Sequence, residues 1–85
     1  MSKLIFAERA WDEYLYWQEH DKKILKHINL LLKDIARNGN DGIGKPEPLR
    51  HRDGWSRRVD DVNRLVYKFN DDSIEILQCR GHYDE

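Results

Sequence analysis

The chain contains a single cysteine, Cys79, only two prolines, and no long apolar run. One cysteine can form neither an internal disulfide nor a cysteine cage for a metal. A short chain without such crosslinks suggests a reducing compartment, by default the cytoplasm. A membrane-spanning helix needs about 20 mainly apolar residues, and a signal peptide needs an apolar run after a basic start. The sequence therefore predicts neither a signal peptide nor a membrane segment.

Net charge is also nearly absent, because 15 Lys and Arg residues oppose 16 Asp and Glu residues, which leaves a formal charge of -1. The whole-chain charge thus gives no indication of a nucleic-acid partner. The distribution is uneven, however, since residues 44–58 hold five basic and two acidic residues: Lys45, Arg50, Arg52, Arg57 and Arg58, with Glu47 and Asp53. Such a local concentration of positive charge indicates a binding site rather than a general coating.

At 85 residues the chain is predicted to form one domain over residues 1–85, because so short a chain cannot bury two cores. Residues 4–7 are apolar and predict a strand, either at the edge of a sheet or inside it. A helix is predicted from Glu8 to about His20, and we expect its aromatic residues in packing contacts. One face of this helix comprises, by three- and four-residue spacing, Trp11, Tyr14, Leu15 and Gln18, with Tyr16 and Trp17 at its flanks.

A second helix is predicted to begin after Asp21, whose carboxylate can accept hydrogen bonds from the first free N–H groups of the helix. Its end is predicted near Asn38-Gly39, since glycine readily adopts the backbone conformation that closes helices. The apolar residues of this segment recur at helical spacing and form one stripe: Ile24, Ile28, Leu31, Leu32 and Ile35.

Residues 40–49 are rich in turn-forming residues and predict a fixed loop, neither helix nor strand. The prolines at 46 and 48 remove two backbone donors and restrict the residues before them, so that Glu47 has a preset direction. Three strands are predicted at residues 54–59, 63–69 and 73–79, separated by turns at residues 60–61 and 70–72. Links this short indicate antiparallel hairpins.

The two-residue period of strands divides their side chains between two faces. The middle strand has Leu65, Tyr67 and Phe69 on one face and Arg64, Val66 and Lys68 on the other. The strand before it has Trp55 and Arg57 on one face and Ser56 and Arg58 on the other. We therefore expect Arg64 to lie away from the main core. Only one of the two neighbouring arginines can readily join Arg64, and this alternation favours Arg58.

Cleavage of RNA without a metal needs a base for the ribose 2′-hydroxyl, cations for the charge of the transition state, and an acid for the departing oxygen. Glu47, Arg58 with Arg64, and His82 match these three needs. Each has a plainer interpretation as well: Glu47 as a surface carboxylate paired with a nearby Lys or Arg, Arg64 as a solvent-facing residue, and His82 as an exposed residue near the terminus.

Four further residues are candidates for binding. Lys45, Arg50 and Arg52 suit contacts to backbone phosphates, and the alternative is that they belong to a solvated loop. Tyr83 can stack on a base or orient a phosphate, or it can simply pack at the terminus.

Six segments, in their order along the chain, resemble the Txe/YoeB-type toxins of the RelE superfamily, from bacterial toxin–antitoxin systems. The segments span nearly the whole chain: WDEYLYWQ at 11–18, KDI at 33–35, GKPEPLR at 44–50, WSRR at 55–58, RLVY at 64–67, and CR and HY at 79–80 and 82–83. Any one of them is weak evidence, whereas six in order at this length make a specific match.

The resemblance implies an α+β, RelE-like microbial ribonuclease fold, in which a strand and two helices precede an antiparallel strand meander. It also implies a ribosome-dependent endoribonuclease that cleaves mRNA in the ribosomal A site by attack of the 2′-hydroxyl, without a metal or other cofactor, and so inhibits translation. Glu47 would then be the general base and His82 the general acid. Arg58 and Arg64 would stabilise the transition state, and Tyr83 would position the substrate.

The remaining basic residues receive lesser roles from the resemblance. Arg50 stands where the family commonly has a lysine beside the scissile phosphate, and Lys45 and Arg52 would contribute to binding only. The chain departs from the family pattern at two positions. Asn63 precedes Arg64 where some relatives have histidine, and Gly81 replaces a bulkier aromatic residue before the His-Tyr pair. Because glycine frees the backbone, we expect Gly81 to loosen the segment that carries His82.

Partners also follow from the resemblance: the 70S ribosome, its mRNA, and a YefM-type antitoxin whose disordered C-terminal segment folds onto the toxin. Homodimers are expected, operator DNA would be bound only through the antitoxin, and no membrane is involved. A non-catalytic RNA- or ribosome-binding module that only blocks the A site is the competing hypothesis. A metal-dependent nuclease is disfavoured, because the sequence has no carboxylate cluster for magnesium and no zinc-like spacing between His20 and His27.

Overall fold

The computed structural model of the chain describes residues 3–82. Its elements are β1 (Lys3–Phe6), α1 (Glu8–His20), α2 (Lys22–Asn38), β2 (Glu47–Pro48), β3 (Trp55–Arg58), β4 (Arg64–Phe69) and β5 (Ser73–Gln78). The predicted bounds of both helices and of the other four strands agree with these to within about one residue, while β2 was not predicted. No helix in this part of the chain is long and apolar enough to span a membrane.

The five strands form one sheet in the order β1-β5-β4-β3-β2. Strands β2 to β5 pair antiparallel with their successive neighbours, which confirms the predicted meander. Strand β1 instead lies parallel to β5, with Lys3 opposite Ser73 and Phe6 opposite Ile76. Parallel strands need a long connection, which the whole intervening chain provides. The first strand of the sequence thus becomes an edge strand beside the last.

A β-bulge interrupts the pairing of β4 with β5. Val66 lies opposite Gln78 and Tyr67 lies opposite Ile76, so that Leu77 is an extra residue on β5. Strict alternation from Ile76 would place Gln78 on the core face, but the extra residue turns Gln78 to the other face, beside Val66. The bulge therefore redirects the chain where it leaves the sheet toward His82.

Helix α2 supplies most of the helical contribution to the core. Asp21 caps its start by accepting hydrogen bonds from the N–H groups of Lys23 and Ile24 at 3.1 and 3.2 Å, and Gly39 ends it with a φ of 64°. The predicted stripe is confirmed, since its last four residues are buried. The core face of the sheet contributes Leu65, Tyr67, Ile74 and Ile76 to the same cluster.

The buried face of α1 differs from the predicted one. Trp11 and Leu15 are 47% and 39% exposed, whereas Ala10 and Trp17 are buried. The reason is that the Trp17 Nε1–H donates to the carbonyl oxygen of Cys79 at 3.0 Å, which turns this side of α1 toward the end of β5. Trp17 therefore belongs to the centre of the packed face, where the spacing alone had placed it at a flank.

The predicted loop over residues 40–49 also needs correction, because Glu47–Pro48 forms the two-residue strand β2. Glu47 lies opposite Ser56 and Pro48 opposite Trp55. Proline cannot donate a hydrogen bond and is therefore confined to sheet edges, which is where β2 lies. The prolines shorten this strand rather than exclude it.

Cys79 is fully buried, and its thiol donates to the carbonyl oxygen of Ala10 at 3.6 Å. Burial raises the pKa of this thiol to about 12, so the reactive thiolate is scarce near neutral pH. We expect iodoacetamide to label native protein at least about 10²-fold more slowly than urea-unfolded protein. Mass spectrometry of timed, quenched samples measures both rates; equal rates would contradict the burial of Cys79.

Candidate active site

One face of the sheet carries three of the predicted catalytic residues. Glu47 on β2 lies opposite Ser56 on β3, and Arg58, two residues farther along β3, lies opposite Arg64 on β4. Residues directly opposite each other, or two apart on one strand, point to the same face. The diagonal from Glu47 to Arg58 corresponds to about 7–8 Å, within reach of long side chains. The predicted alternation on β3 and β4 is thereby confirmed.

Arg58 and Arg64 form a pair of like charges on neighbouring strands. Arg58 is exposed and Arg64 is half-buried. Within residues 3–82 neither forms a salt bridge with an Asp or Glu side chain. Like charges directly opposite each other destabilise a sheet, so the arrangement is unfavourable unless an anion lies between them. The guanidinium groups can hold a phosphate through several charge-assisted hydrogen bonds.

The backbone before Glu47 is fixed by the neighbouring strand. The carbonyl oxygen of Gly44 accepts a hydrogen bond from the N–H of Arg58 at 2.7 Å. Gly44 has a φ of 80°, and a Cβ at this position would lie 2.9 Å from the side chain of Leu31, so only glycine fits. Lys45 follows with a φ of 51°, which is uncommon for a residue other than glycine. The loop thus enters β2 through two constrained residues.

The Glu47 side chain is exposed, and no salt bridge joins it to a Lys or Arg anywhere in the described chain. The plainer interpretation of Glu47 as half of a surface ion pair is therefore not what the structure contains. An exposed carboxylate with a fixed backbone is available to accept a proton from a bound molecule.

The segment after β5 places Gly81, the residue before His82, beside the backbone of Arg64. The N–H of Arg64 donates to the carbonyl oxygen of Gly81 at 3.0 Å, and Gln78 Nε2 donates to the carbonyl oxygen of His82 at 2.9 Å. Gly81 is thus held by hydrogen bonds, which differs from the expected loosening of this segment. The predicted role of Tyr83 falls outside the described residues.

The three other basic candidates lie in the loops that flank β2. Lys45 precedes this strand, and Arg50 and Arg52 lie between β2 and β3. All three side chains are exposed, as contacts to a phosphate backbone require. The sequence predicts that these residues bind phosphates, and their positions in the two loops that flank β2 agree with such a role.

Arg57 is a residue whose importance the sequence analysis missed. Its guanidinium is fully buried and donates to Asp34 Oδ2, to the carbonyl oxygens of Gly39 and Ile43 at 2.6 and 2.9 Å, and to Tyr67 Oη at 3.2 Å. These bonds fasten the loop after α2 to β3. The hydrogen bond from Arg57 holds the pKa of the Asp34 carboxyl below its ordinary value. The alternation along this strand could have identified Arg57, because a residue that points away from Arg58 and Arg64 points toward the core, where a charge requires a partner.

A comparison with known proteins identifies the family. A family model described as the YoeB-like toxin of bacterial type II toxin–antitoxin systems matches residues 6–83. Toxin YoeB of Escherichia coli (strain K12) is 55% identical over 83 residues, which cover 95% of this chain and 99% of that protein. The chain belongs to the YoeB family of toxins.

Solved structures of YoeB toxins have the same RelE-like fold. The YoeB dimer from Staphylococcus aureus superposes with a TM-score of 0.91 at 46% identity and covers 96% of this chain and 98% of that one. The YoeB–YefM complex from the same organism contains a chain with a TM-score of 0.89 at 43% identity, covering 98% of this chain and 99% of that one. The α+β fold inferred from the sequence is thereby confirmed for this YoeB-family toxin.

No group of three His, Cys, Asp or Glu side chains in the described part of this YoeB-family toxin is arranged to hold a metal ion. The sheet instead carries the carboxylate of Glu47 and the guanidinium groups of Arg58 and Arg64, and the backbone of His82 is bonded to Gln78 at the end of β5. A carboxylate and an imidazole can exchange protons, and guanidinium groups can stabilise negative charge.

Proposed function

We propose that the chain is a ribosome-dependent endoribonuclease that cleaves mRNA in the ribosomal A site and thereby inhibits translation. The observation that carries this proposal is the cross-strand pair of Arg58 and Arg64, which lacks a carboxylate partner within residues 3–82 and shares its sheet face with Glu47. Two uncompensated cations beside an exposed carboxylate suit a phosphodiester whose adjacent hydroxyl must lose a proton.

In the proposed reaction Glu47 removes the proton of the ribose 2′-hydroxyl. The 2′-oxygen forms a bond to phosphorus, the bond from phosphorus to the 5′-oxygen breaks, and His82 gives its proton to that oxygen. The products are a 2′,3′-cyclic phosphate and a free 5′-hydroxyl. Arg58 and Arg64 stabilise the additional charge on the phosphoryl oxygens. No metal takes part, and Tyr83 positions the substrate.

Lys45, Arg50 and Arg52 are proposed to contact the phosphates of the message or of ribosomal RNA. Such contacts supply affinity rather than reaction rate, and they weaken as the salt concentration rises. Arg50 lies one residue from the buried Leu49, whose N–H donates to the carbonyl oxygen of Gly54 at 2.9 Å. This hydrogen bond closes the loop between β2 and β3 and limits its conformations.

We propose a YefM-type antitoxin as the partner that neutralises the toxin, because a relative that is 43% identical was solved as a YoeB–YefM complex. Acidic residues of such a partner would compete with RNA for Arg58 and Arg64. Binding to operator DNA would occur only through this partner. We also propose a homodimer, because a relative from Staphylococcus aureus was solved as a YoeB dimer. The proposed targets of the toxin are the 70S ribosome and its mRNA.

Primer extension on a defined message in a reconstituted translation reaction tests the proposal. We expect new 5′ ends inside the A-site codon only when ribosomes are present, and upstream fragments that end in a 2′,3′-cyclic phosphate. A stalled ribosome without new ends would instead identify a blocking protein. Loss of cleavage in a chelator that leaves the ribosomes intact would contradict the metal-independent mechanism.

A further inference from the structure

The segment between β5 and His82 is held by two buried amide side chains. Gln78 and Asn63 are only 4% and 8% exposed. Gln78 Nε2 donates to the carbonyl oxygens of Gly81 and His82 at 3.2 and 2.9 Å, and Asn63 Oδ1 accepts from the N–H of Gly81 at 2.7 Å. Polar groups in such buried positions require partners, and here the partners are the backbone groups next to His82.

Asn63 is itself held in one orientation. Its Nδ2 group donates to both carboxylate oxygens of Asp60, each at 3.1 Å. Asp60 Oδ1 also accepts from the backbone N–H groups of Val62 and Asn63 at 2.8 and 2.7 Å. Because the amide nitrogen is fully engaged by Asp60, the oxygen of Asn63 faces Gly81. A chain of hydrogen bonds therefore runs from the turn before β4 to the segment that carries His82.

Gln78 reaches this segment because of the bulge at Leu77, which places Gln78 opposite Val66 on the face that also carries Arg64. Without the extra residue, the amide would point toward the core. Bulges commonly redirect a side chain beside a functional site. The irregular residue of β5 thus has a local consequence for the position of His82.

The conformation of Gly81 depends on the absence of a side chain. Gly81 has a φ of 88°, a region that other residues rarely adopt, although no atom lies within 4 Å of the position of a Cβ. Asn63 and Gly81 are the two positions at which the sequence was expected to depart from the family pattern, and the N–H of Gly81 donates to Asn63 Oδ1. They form one arrangement with Gln78.

We propose that Asn63 and Gln78 are positioning residues that hold the backbone of Gly81 and His82, so that the imidazole meets the departing 5′-oxygen beside Arg64. The inference rests on the proposed function, because it assigns these amides to the protonation step of that reaction. Neither amide touches the reacting atoms. Both act through the placement of His82.

A sulfur leaving group distinguishes this role from a general structural one. Cleavage by wild type first identifies the scissile linkage. A message that carries sulfur in place of the 5′-bridging oxygen at this linkage then releases a thiolate, which needs little protonation. We expect Gln78→Met to lower single-turnover cleavage of the ordinary message by about 10²-fold, the usual effect of a misplacement of about 1 Å. On the sulfur message, Gln78→Met and His82→Gln should both approach the wild-type rate, whereas Glu47→Gln should remain slow.

Asn63→Ala serves as a second variant, because Asn63 holds Gly81 from the turn before β4 and its loss should show the same recovery. Gln18→Met makes the same substitution at an exposed position of α1 and should cleave both messages like wild type. Urea unfolding of every variant checks that it is folded. If His82→Gln recovers on the sulfur message but folded Gln78→Met and Asn63→Ala do not, the positioning role is wrong. The positioning role is also wrong if Gln78→Met and Asn63→Ala cleave the ordinary message at the wild-type rate.

A different result would separate this inference from the proposed function. If His82→Gln cleaves the sulfur message as slowly as the ordinary one, His82 is not the acid, and the positioning role fails with that assignment. If wild type cleaves neither message on ribosomes, the proposed activity itself is wrong.

Discussion

Glu47→Gln is expected to lower single-turnover cleavage of a ribosome-bound message by about 10²–10⁴-fold, the range attributed to a general base. Glutamine has nearly the same shape but cannot take the proton of the 2′-hydroxyl. The carboxylate forms no salt bridge with the described chain, so its replacement should alter the free energy of unfolding by less than about 0.5 kcal/mol. Primer extension gives the cleavage rate, and co-sedimentation with ribosomes should be unchanged.

Asp53→Asn is the matched control for this substitution. Asp53 is the other acidic residue of the basic segment 44–58, it is exposed, and its amide variant changes the charge by the same amount. We expect Asp53→Asn to cleave like wild type, because Asp53 lies in the loop between β2 and β3 and not on the strands that carry Glu47 and the arginines. An equal loss in both variants would attribute the effect to local charge, and undiminished cleavage by Glu47→Gln would remove the general base from the mechanism.

Arg57→Met is expected to lower the free energy of unfolding by about 1.5–3 kcal/mol, because it removes the hydrogen bonds of a buried guanidinium to a partly exposed carboxylate and to two carbonyl oxygens. The substitution leaves Asp34 without its guanidinium partner, and the carbonyl oxygens of Gly39 and Ile43 lose a donor. Urea unfolding followed by tryptophan fluorescence measures the change. A variant as stable as wild type would show that the buried network contributes little.

The neighbouring residue provides the control, because Arg58 extends from the same strand to the opposite face. Arg58→Met should change the free energy of unfolding by less than about 0.5 kcal/mol, yet it should reduce cleavage strongly. If Arg57→Met does not fold, Tyr67→Phe removes the two hydrogen bonds of the Tyr67 hydroxyl, which accepts from Arg57 Nε and donates to Asn40 Oδ1, and should cost about 1–2 kcal/mol. Two adjacent arginines would then have separable roles, one in stability and one in chemistry.

Local patterns were sufficient for most of the fold. Asp21 and Gly39 bound α2 because capping and helix closure depend on the residues themselves. The two-residue period also separated Arg57 from Arg58 correctly, since alternation along a strand is a property of extended backbone. The sequence therefore predicted which arginine would face Arg64 without any knowledge of the sheet order.

Features that depend on distant contacts could not be predicted in this way. The choice between Trp11 and Trp17 as the buried residue of α1 was decided by the carbonyl oxygen of Cys79, which lies at the other end of the sequence. The bulge at Leu77 leaves no recognisable pattern in the residues of β5. The same holds for Gly81, whose backbone was expected to be loose and is bonded to Asn63.

The parallel pairing of β1 with β5 also constrains the order in which this protein can fold during synthesis. The two helices leave the ribosome early, but the apolar stripe of α2 has no sheet to cover it until β4 and β5 have followed. Contacts between distant segments form late, and an uncovered apolar surface favours aggregation meanwhile. The strand that carries Arg64 and the strand that leads to His82 are thus the ones that end this exposed period, so the face proposed to bind RNA and a protected core form together.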